Sequence, residues 1–227
     1  IHLLASLAAL LHDLGKACLA FQQRLTAKGP VARNLYRHEW VSLRLFQAFV
    51  GDSTDAEWLG RLIAPSSDDD QSWTVRLLRD GLDAVAQSSK PFAVLPPLAQ
   101  VVAWLVLTHH RLPVMPTKDD TGRWQWLGAR VRNLHAAQLD RLLEQVTADW
   151  NELADSKDRA AIEPYWTFPH GLPVTTDAWR KRSARVARRL LPIVQSADAR
   201  DWLHDPYVMH LGRLGLMLAD HHYSSLI

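Results

Sequence analysis

The chain of 227 residues holds a single cysteine, Cys18. That excludes an intrachain disulfide and any multi-cysteine zinc site within it. Long apolar runs are missing too. The longest near the start, Leu3 to Leu11, falls well short of the ~20 residues a membrane span needs. No basic region precedes it and no small-residue cleavage site follows it, so it does not read as a signal peptide, and a cytoplasmic location without membrane contact is expected. An excess of charge is lacking as well. Lys+Arg 26 against Asp+Glu 24 leaves +2, so bulk charge does not announce a nucleic-acid binder. With 10 Gly and 12 Pro the chain is neither collagen-like nor low-complexity, and at 48% hydrophobic it can bury a core. It opens at Ile1 rather than Met, and is expected to be a segment of a longer protein.

Tryptophan and histidine are abundant, at 10 and 11. Tryptophan is mostly a packing signal. Histidine is the commonest metal ligand and titrates near neutrality. The pattern is helical almost throughout. Leu3, Leu4, Leu7, Leu10 and Leu11 follow the helical apolar spacing, and Phe21 and Leu25 continue an apolar face until Gly29-Pro30. Trp40 to Val50, Ala56 to Ile63 and Trp73 to Ala86 read as further helices. Pro96-Pro97 suit a helix start, and Leu98 to Thr108, apolar all round, predicts a buried helix. Arg111 to Gly128 reads as a long loop and Arg130 to Leu153 as a long amphipathic helix. Ser156 to Thr176 reads as irregular. Thr176 to Leu191 is helical and basic, ended by Pro192, and Pro206 to His222 closes the chain as a helix. No convincing strand pattern appears. The expected fold class is all-α, with residues 1–227 forming one domain.

Four local patterns carry candidate chemistry. In Leu10-Leu11-His12-Asp13-Leu14-Gly15-Lys16 an apolar helix delivers a histidine beside an aspartate. Nitrogen plus carboxylate oxygen is a ligand set for Mn, Fe, Co, Ni or Zn, and a carboxylate can bridge two ions. Lys16 falls one turn on, placed for an anionic group such as a phosphate. The competing reading is a surface His-Asp pair at a helix end. His109-His110 follow a buried helix, where two imidazoles are costly unless they face a cavity or a ligand. Otherwise that helix simply emerges into solvent. His38, in Arg37-His38-Glu39-Trp40, projects from a helix start, where Glu39 can equally serve the helix dipole. Asp220 follows the apolar stretch Leu214 to Leu218, which predicts partial burial and the need for a cation or hydrogen bonds.

These strings resemble the HD superfamily of metal-dependent phosphohydrolases, and more closely the HD nuclease domain of the type I CRISPR-associated nuclease-helicase, type I-F branch. The resemblance rests on HDLGKACLAFQQRL (His12 to Leu25), RHEWVSLRLF (Arg37 to Phe46), LTHHRLP (Leu107 to Pro113) and LMLADHHYSS (Leu216 to Ser225). It implies an HD-domain helical bundle with a buried metal site, holding two divalent transition-metal ions (Mn, Co, Ni or Fe), and cleavage of single-stranded DNA. His12, His38, His109, His110 and Asp220 match ligand positions, Asp13 the shared carboxylate, and Lys16 the phosphate-contacting lysine. Asp13 and Lys16 are the implied catalytic pair. The family has a further histidine upstream. His2 is the candidate for it here, unless that residue lies before Ile1. No G-x-x-x-x-G-K-[ST] occurs, so ATP use belongs to a helicase part outside this chain. The implied partners are single-stranded DNA, the helicase domains of the parent protein and the RNA-guided CRISPR surveillance complex.

Arg180, Lys181, Arg182, Arg185, Arg188 and Arg189 put six cations on one segment. Arg182, Arg185 and Arg189 share a helical face that either lines a strand-binding groove or docks against the helicase part. Trp124 and Trp126 either stack bases or anchor a loop. His135 reads as a surface residue, His170 as part of a Pro-rich loop, and His221 and His222 as helix-end residues. His204-Asp205 is set aside because Asp205 reads as a helix cap before Pro206, and His210, ten residues before Asp220, is an outside candidate. Two other functions remain open: an HD phosphohydrolase of nucleotides, and a degenerate HD domain serving only as a docking module.

Overall fold

The computed structural model describes residues 1–27, 34–65, 72–84, 92, 94–111, 117–118, 121, 124–125, 158–196, 198, 203 and 205–225. Among them the architecture is helical, as the apolar spacing predicts. The α-helices are α1 (His2–Leu11), α2 (Leu19–Thr26), α3 (His38–Val50), α4 (Asp55–Ile63), α5 (Pro97–Thr108), α6 (Arg159–Ile162), α7 (Asp177–Val194) and α8 (Pro206–Ser224), with short 3-10 turns between several of them. The β structure among the described residues is one antiparallel pairing of β1 (Thr117–Lys118) with β2 (Trp124–Gln125), inside the expected loop. The expected helix over Arg130 to Leu153 lies outside the described residues, as do Trp126, His135 and His204.

α5 is the centre of the core. From Leu98 to Thr108 every residue but Gln100 is buried, and α1, α3 and α8 pack around it. Each fully buried leucine or valine there contributes about 1.5–3 kcal/mol. Its start is set by Pro96-Pro97 and by a carboxylate from another helix. Asp55, at the start of α4, accepts the backbone N–H groups of Leu98 (2.9 Å) and Ala99 (3.1 Å), which have no partner within α5. α4 is itself started by a capping box between Thr54 and Glu57. α8 starts on Asp205, whose side chain accepts from the N–H of Tyr207 at 2.8 Å, the cap expected before Pro206. Gly212 brings α8 against Leu105 and Gly215 brings it against Ala5. Among the described residues no single helix is long and apolar enough to cross a membrane.

Three sequence expectations fail for visible reasons. The helix expected over Trp73 to Ala86 is, through residue 84, a 3-10 turn, Ser72–Arg76, followed by turns, and its last two residues lie outside the described ones. Asp80 is drawn to Arg44 and Trp40, and Gly81 takes a left-handed φ of 80°, so the chain cannot continue as a helix. Pro192 does not end α7. It falls in the last turn, and the helix runs on to Val194, which packs on the core with Leu191. Leu25 does not extend an apolar face. α2 stops at Thr26 and Leu25 stands 67% exposed.

Candidate metal centre

α1 ends at Leu11, so His12 and Asp13 occupy a turn rather than the helix itself, with a 3-10 turn, Leu14–Ala17, after them. Gly15 is required there, because a Cβ would collide with the carbonyl oxygen of His38 at the start of α3. The N–H of Gly15 donates to Ser42 Oγ at 2.8 Å, and the Ser42 hydroxyl donates to the carbonyl of His12 at 2.7 Å. One buried serine of α3 thus pins the His-Asp turn to the helix that carries His38. His109 and His110 follow the last residue of α5. Arg213 of α8 donates from Nε to the Thr108 carbonyl at 2.6 Å, placing a cation at the negative end of α5. Asp220 lies two turns further along α8.

The result is a cluster of six side chains from four parts of the sequence. His12 Nε2 lies 3.3 Å from Asp13 Oδ2 and 3.6 Å from Asp220 Oδ1. His38 Nε2 lies 3.5 Å from Asp13 Oδ1, and His110 Nε2 lies 4.0 Å from Asp220 Oδ2. Ring centroids are 4.8 Å apart for His12 and His109, 5.4 Å for His38 and His110, and 4.0 Å for His109 and His110. Two groups could each hold a metal ion, His12–Asp13–His109 and His38–His109–His110, with one ligand atom from each residue within 4.8 Å of the others. Lys16 reaches in from the rim, its ammonium donating to Asp13 Oδ2 at 2.8 Å.

Two chemical features fit a cation. First, Nε2 of His12, His38 and His109 and Oδ1 of Asp13 are buried with no hydrogen-bond partner among the described residues. Such groups are costly unless something satisfies them. Second, three of the imidazoles, those of His38, His109 and His110, are held neutral, the form that binds metal. Burial pushes His38 down to about 4 and His109 down to about 3, and it lowers His110 as well. Asp220 is also held below the usual carboxylate range. Burial opposes this, but His12 and His110 beside it win. His12 Nδ1 sits 2.9 Å from the Ala9 carbonyl and His109 Nδ1 2.7 Å from that of Val106, so each ring's other nitrogen turns inward.

The structure does not bring His2 into this cluster. It is exposed at the opposite end of α1, and ten helical residues separate it from His12 by about 15 Å. Asp220 is half-buried, as expected, but only one leucine of the apolar stretch before it turns inward. Leu214 and Leu218 are exposed, and Asp220 shares the inward face of Leu216. Arg182 and Arg185 line a groove of about 510 Å³ together with His12, Asp13, Asp220 and Tyr223. Arg189 lies in an adjoining groove of about 640 Å³ with Lys181 and Arg188, and Arg185 lines both. Trp179 fixes this arrangement, its indole N–H donating to the Leu10 carbonyl at 2.7 Å, next to the His-Asp turn. Of Trp124 only the backbone pairing is described.

Sequence reasoning missed Ser42, Arg213 and Tyr223, and it read Glu39 only as a partner of the helix dipole. Glu39 is 0% exposed, with Oε2 at 3.3 Å from His38 Nδ1 and an ion pair to Arg37. The (i, i+3) placement of Asp220 and Tyr223 on one helix face is the readable signal for the tyrosine.

Residues 1–203 match the family model described as Cas3, HD domain. The chain is 44% identical over 232 residues to the CRISPR-associated nuclease/helicase Cas3 subtype I-F/YPEST of Pseudomonas aeruginosa (strain UCBPP-PA14), a match covering all of this chain and 20% of that protein. It is 38% identical over 230 residues to the protein of the same description from Pectobacterium atrosepticum, covering 98% of this chain and 20% of that one. The chain thus spans about a fifth of the length of these curated relatives. With the family model covering most of the sequence and a helical fold built around a His-Asp centre, the chain belongs to the Cas3 HD-domain family.

Proposed function

We propose that residues 1–227 act as the metal-dependent nuclease domain of a longer nuclease-helicase, hydrolysing phosphodiester bonds of single-stranded DNA in CRISPR interference. The observation that carries this reading is the inward convergence of buried, unpartnered Nε2 and Oδ1 atoms from His12, Asp13, His38 and His109. In this reading His12, Asp13, His38, His109, His110 and Asp220 hold two divalent ions, and a donor set rich in imidazole suits Mn, Fe, Co or Ni better than Mg. Asp13 and Asp220 each offer one oxygen toward either half of the cluster, the placement a bridging carboxylate needs. When bound, such ions supply a water of lowered pKa and a clamp on phosphate oxygens.

The chain's own groups do the rest. Lys16 presents its ammonium beside Asp13, where it would stabilise charge developing on a phosphate. Arg182 and Arg185 flank the same groove and would take the neighbouring phosphates of a strand. The track continues through Arg185 to Arg188 and Arg189. Tyr223, exposed in the groove, offers a ring for a base to stack on. ATP enters only through the helicase part, which also supplies the single strand, and the RNA-guided surveillance complex recruits the parent protein. A cytoplasmic location follows from that role.

The test is the purified chain with Mn, Co or Ni on single-stranded DNA, against Asp13→Ala. Metal-dependent cutting that the variant lacks supports the reading. Equal cutting by both overturns it, and hydrolysis of mononucleotides alone favours a nucleotide phosphohydrolase.

A further inference from the structure

The three inward-facing histidines with unpartnered Nε2 atoms are not held alike. His12 and His109 both sit just past the C-terminus of a helix, and each has Nδ1 against a carbonyl three residues back, Ala9 for one and Val106 for the other. His38 is the first residue of α3, so no turn of helix precedes it and no such carbonyl exists. Its Nδ1 lies near a side-chain oxygen instead, Glu39 Oε2 at 3.3 Å. Glu39 is fully buried, a costly place for a carboxylate unless it is paired. Arg37 pairs it. Nη2 donates to Oε1 at 2.8 Å, and Nε donates to Oε1 at 3.1 Å and to Oε2 at 3.3 Å. The dipole of α3 alone would be served as well by an exposed glutamate in the first turn. Burial of this one against an imidazole and a guanidinium needs another reason.

We propose that Glu39 is a positioning residue for His38. It accepts the Nδ1 proton, fixes the ring in the Nδ1-protonated tautomer and leaves the Nε2 lone pair facing the cluster, while Arg37 holds the carboxylate. It thereby does with a side chain what the helix backbone does for His12 and His109. A carboxylate behind a ligating imidazole also raises its basicity, and losing such a partner typically costs about 10- to 100-fold in metal affinity. The proposal rests on the reading of His38 as a ligand, but its first test needs neither metal nor DNA.

That test is a long-range 1H–15N spectrum of the metal-free chain at pH 7.5, with the His38 signals assigned by His38→Gln. The expected result is a proton on Nδ1 of His38 in the unsubstituted chain and a shift toward Nε2 protonation in Glu39→Ala. Cobalt(II) titration, followed by its d–d absorbance, is expected to show about 10- to 100-fold weaker binding for Glu39→Ala. Glu39→Gln, which keeps the shape and one acceptor oxygen, is expected to hold the tautomer and lose less. A proton on Nε2 of His38 in the unsubstituted chain overturns the proposal whether or not the variants fold. So does a folded Glu39→Ala with tautomer and cobalt affinity unchanged. An Nδ1-protonated His38 in a chain that cuts no DNA would leave the role of Glu39 standing and count against the nuclease reading alone.

Discussion

Asp80 and Asp13 are both aspartates in turns, and each faces cationic or imidazole groups presented by α3. Asp80 is closed. Its Oδ2 accepts from Trp40 Nε1 and from Arg44 Nε, each at 2.8 Å, and its Oδ1 accepts from Arg44 Nη2 at 2.6 Å. Arg44 in turn donates Nη1 to Gln47 at 2.8 Å and lies over the Trp40 ring. Asp13 is open. Oδ2 takes Lys16, but Oδ1 is buried without a partner among the described residues, facing imidazole nitrogens in the same state. A polar group paired on all sides holds a fold together. A set of buried polar atoms left open toward one another is a place where something else binds.

That contrast can be broken in order of effect. Asp13→Ala should lower single-strand cleavage about a thousandfold or more, the scale of losing a principal charge-stabilising group, with the melting temperature of the metal-free chain changed little. Asp80→Ala should do the reverse. It leaves the buried Arg44 guanidinium without its anion, at a cost of about 3–5 kcal/mol seen in chemical denaturation, while cobalt binding per folded chain persists. Acid should separate the two regions as well. His38 and His109 have folded values of about 4 and about 3 against 6.5 ordinarily. Between about pH 6.5 and 4 the unfolded chain therefore binds more protons than the folded one, so stability is full above pH 6.5 and falls as pH drops toward 4. Thermal melts across that window should show the loss in the metal-free chain. His38→Gln should shrink it, leaving the part that His109 contributes.

Smaller effects sharpen the comparison at the groove. Tyr223→Ala should weaken single-strand binding by about 1–3 kcal/mol in fluorescence titrations, if a base stacks there. Arg182→Ala with Arg185→Ala should lower the salt slope of that binding by about 1.4, or 0.7 per phosphate lost. Arg189→Ala, farther along the track, should change cleavage less than either of them.

Much of this was legible because apolar spacing reports burial directly. α1, α3, α5 and α8 follow from leucine and valine periodicity, and α5 from an apolar run with Pro96-Pro97 before it. His12, Asp13, His38, His109, His110 and Asp220 were legible as residue types and local strings. What stayed hidden depends on distance in space rather than in sequence. Ser42 looks like any helix serine until its hydroxyl is seen between His12 and Gly15. Arg213 looks like a surface cation until it caps α5. The break at Asp80-Gly81 comes from a pairing with α3, 36 residues earlier for Arg44, that no local propensity encodes. His2 failed for the opposite reason. Sequence order alone makes it a candidate, and the length of α1 carries it away from the cluster.

The most direct test is anomalous diffraction from crystals of the chain soaked in manganese. The account predicts two peaks within the cluster, each in direct contact with imidazole Nε2 or carboxylate oxygen atoms, with Asp13 or Asp220 touching both. Peaks absent from the cluster, or manganese bound only elsewhere on the surface, would contradict it.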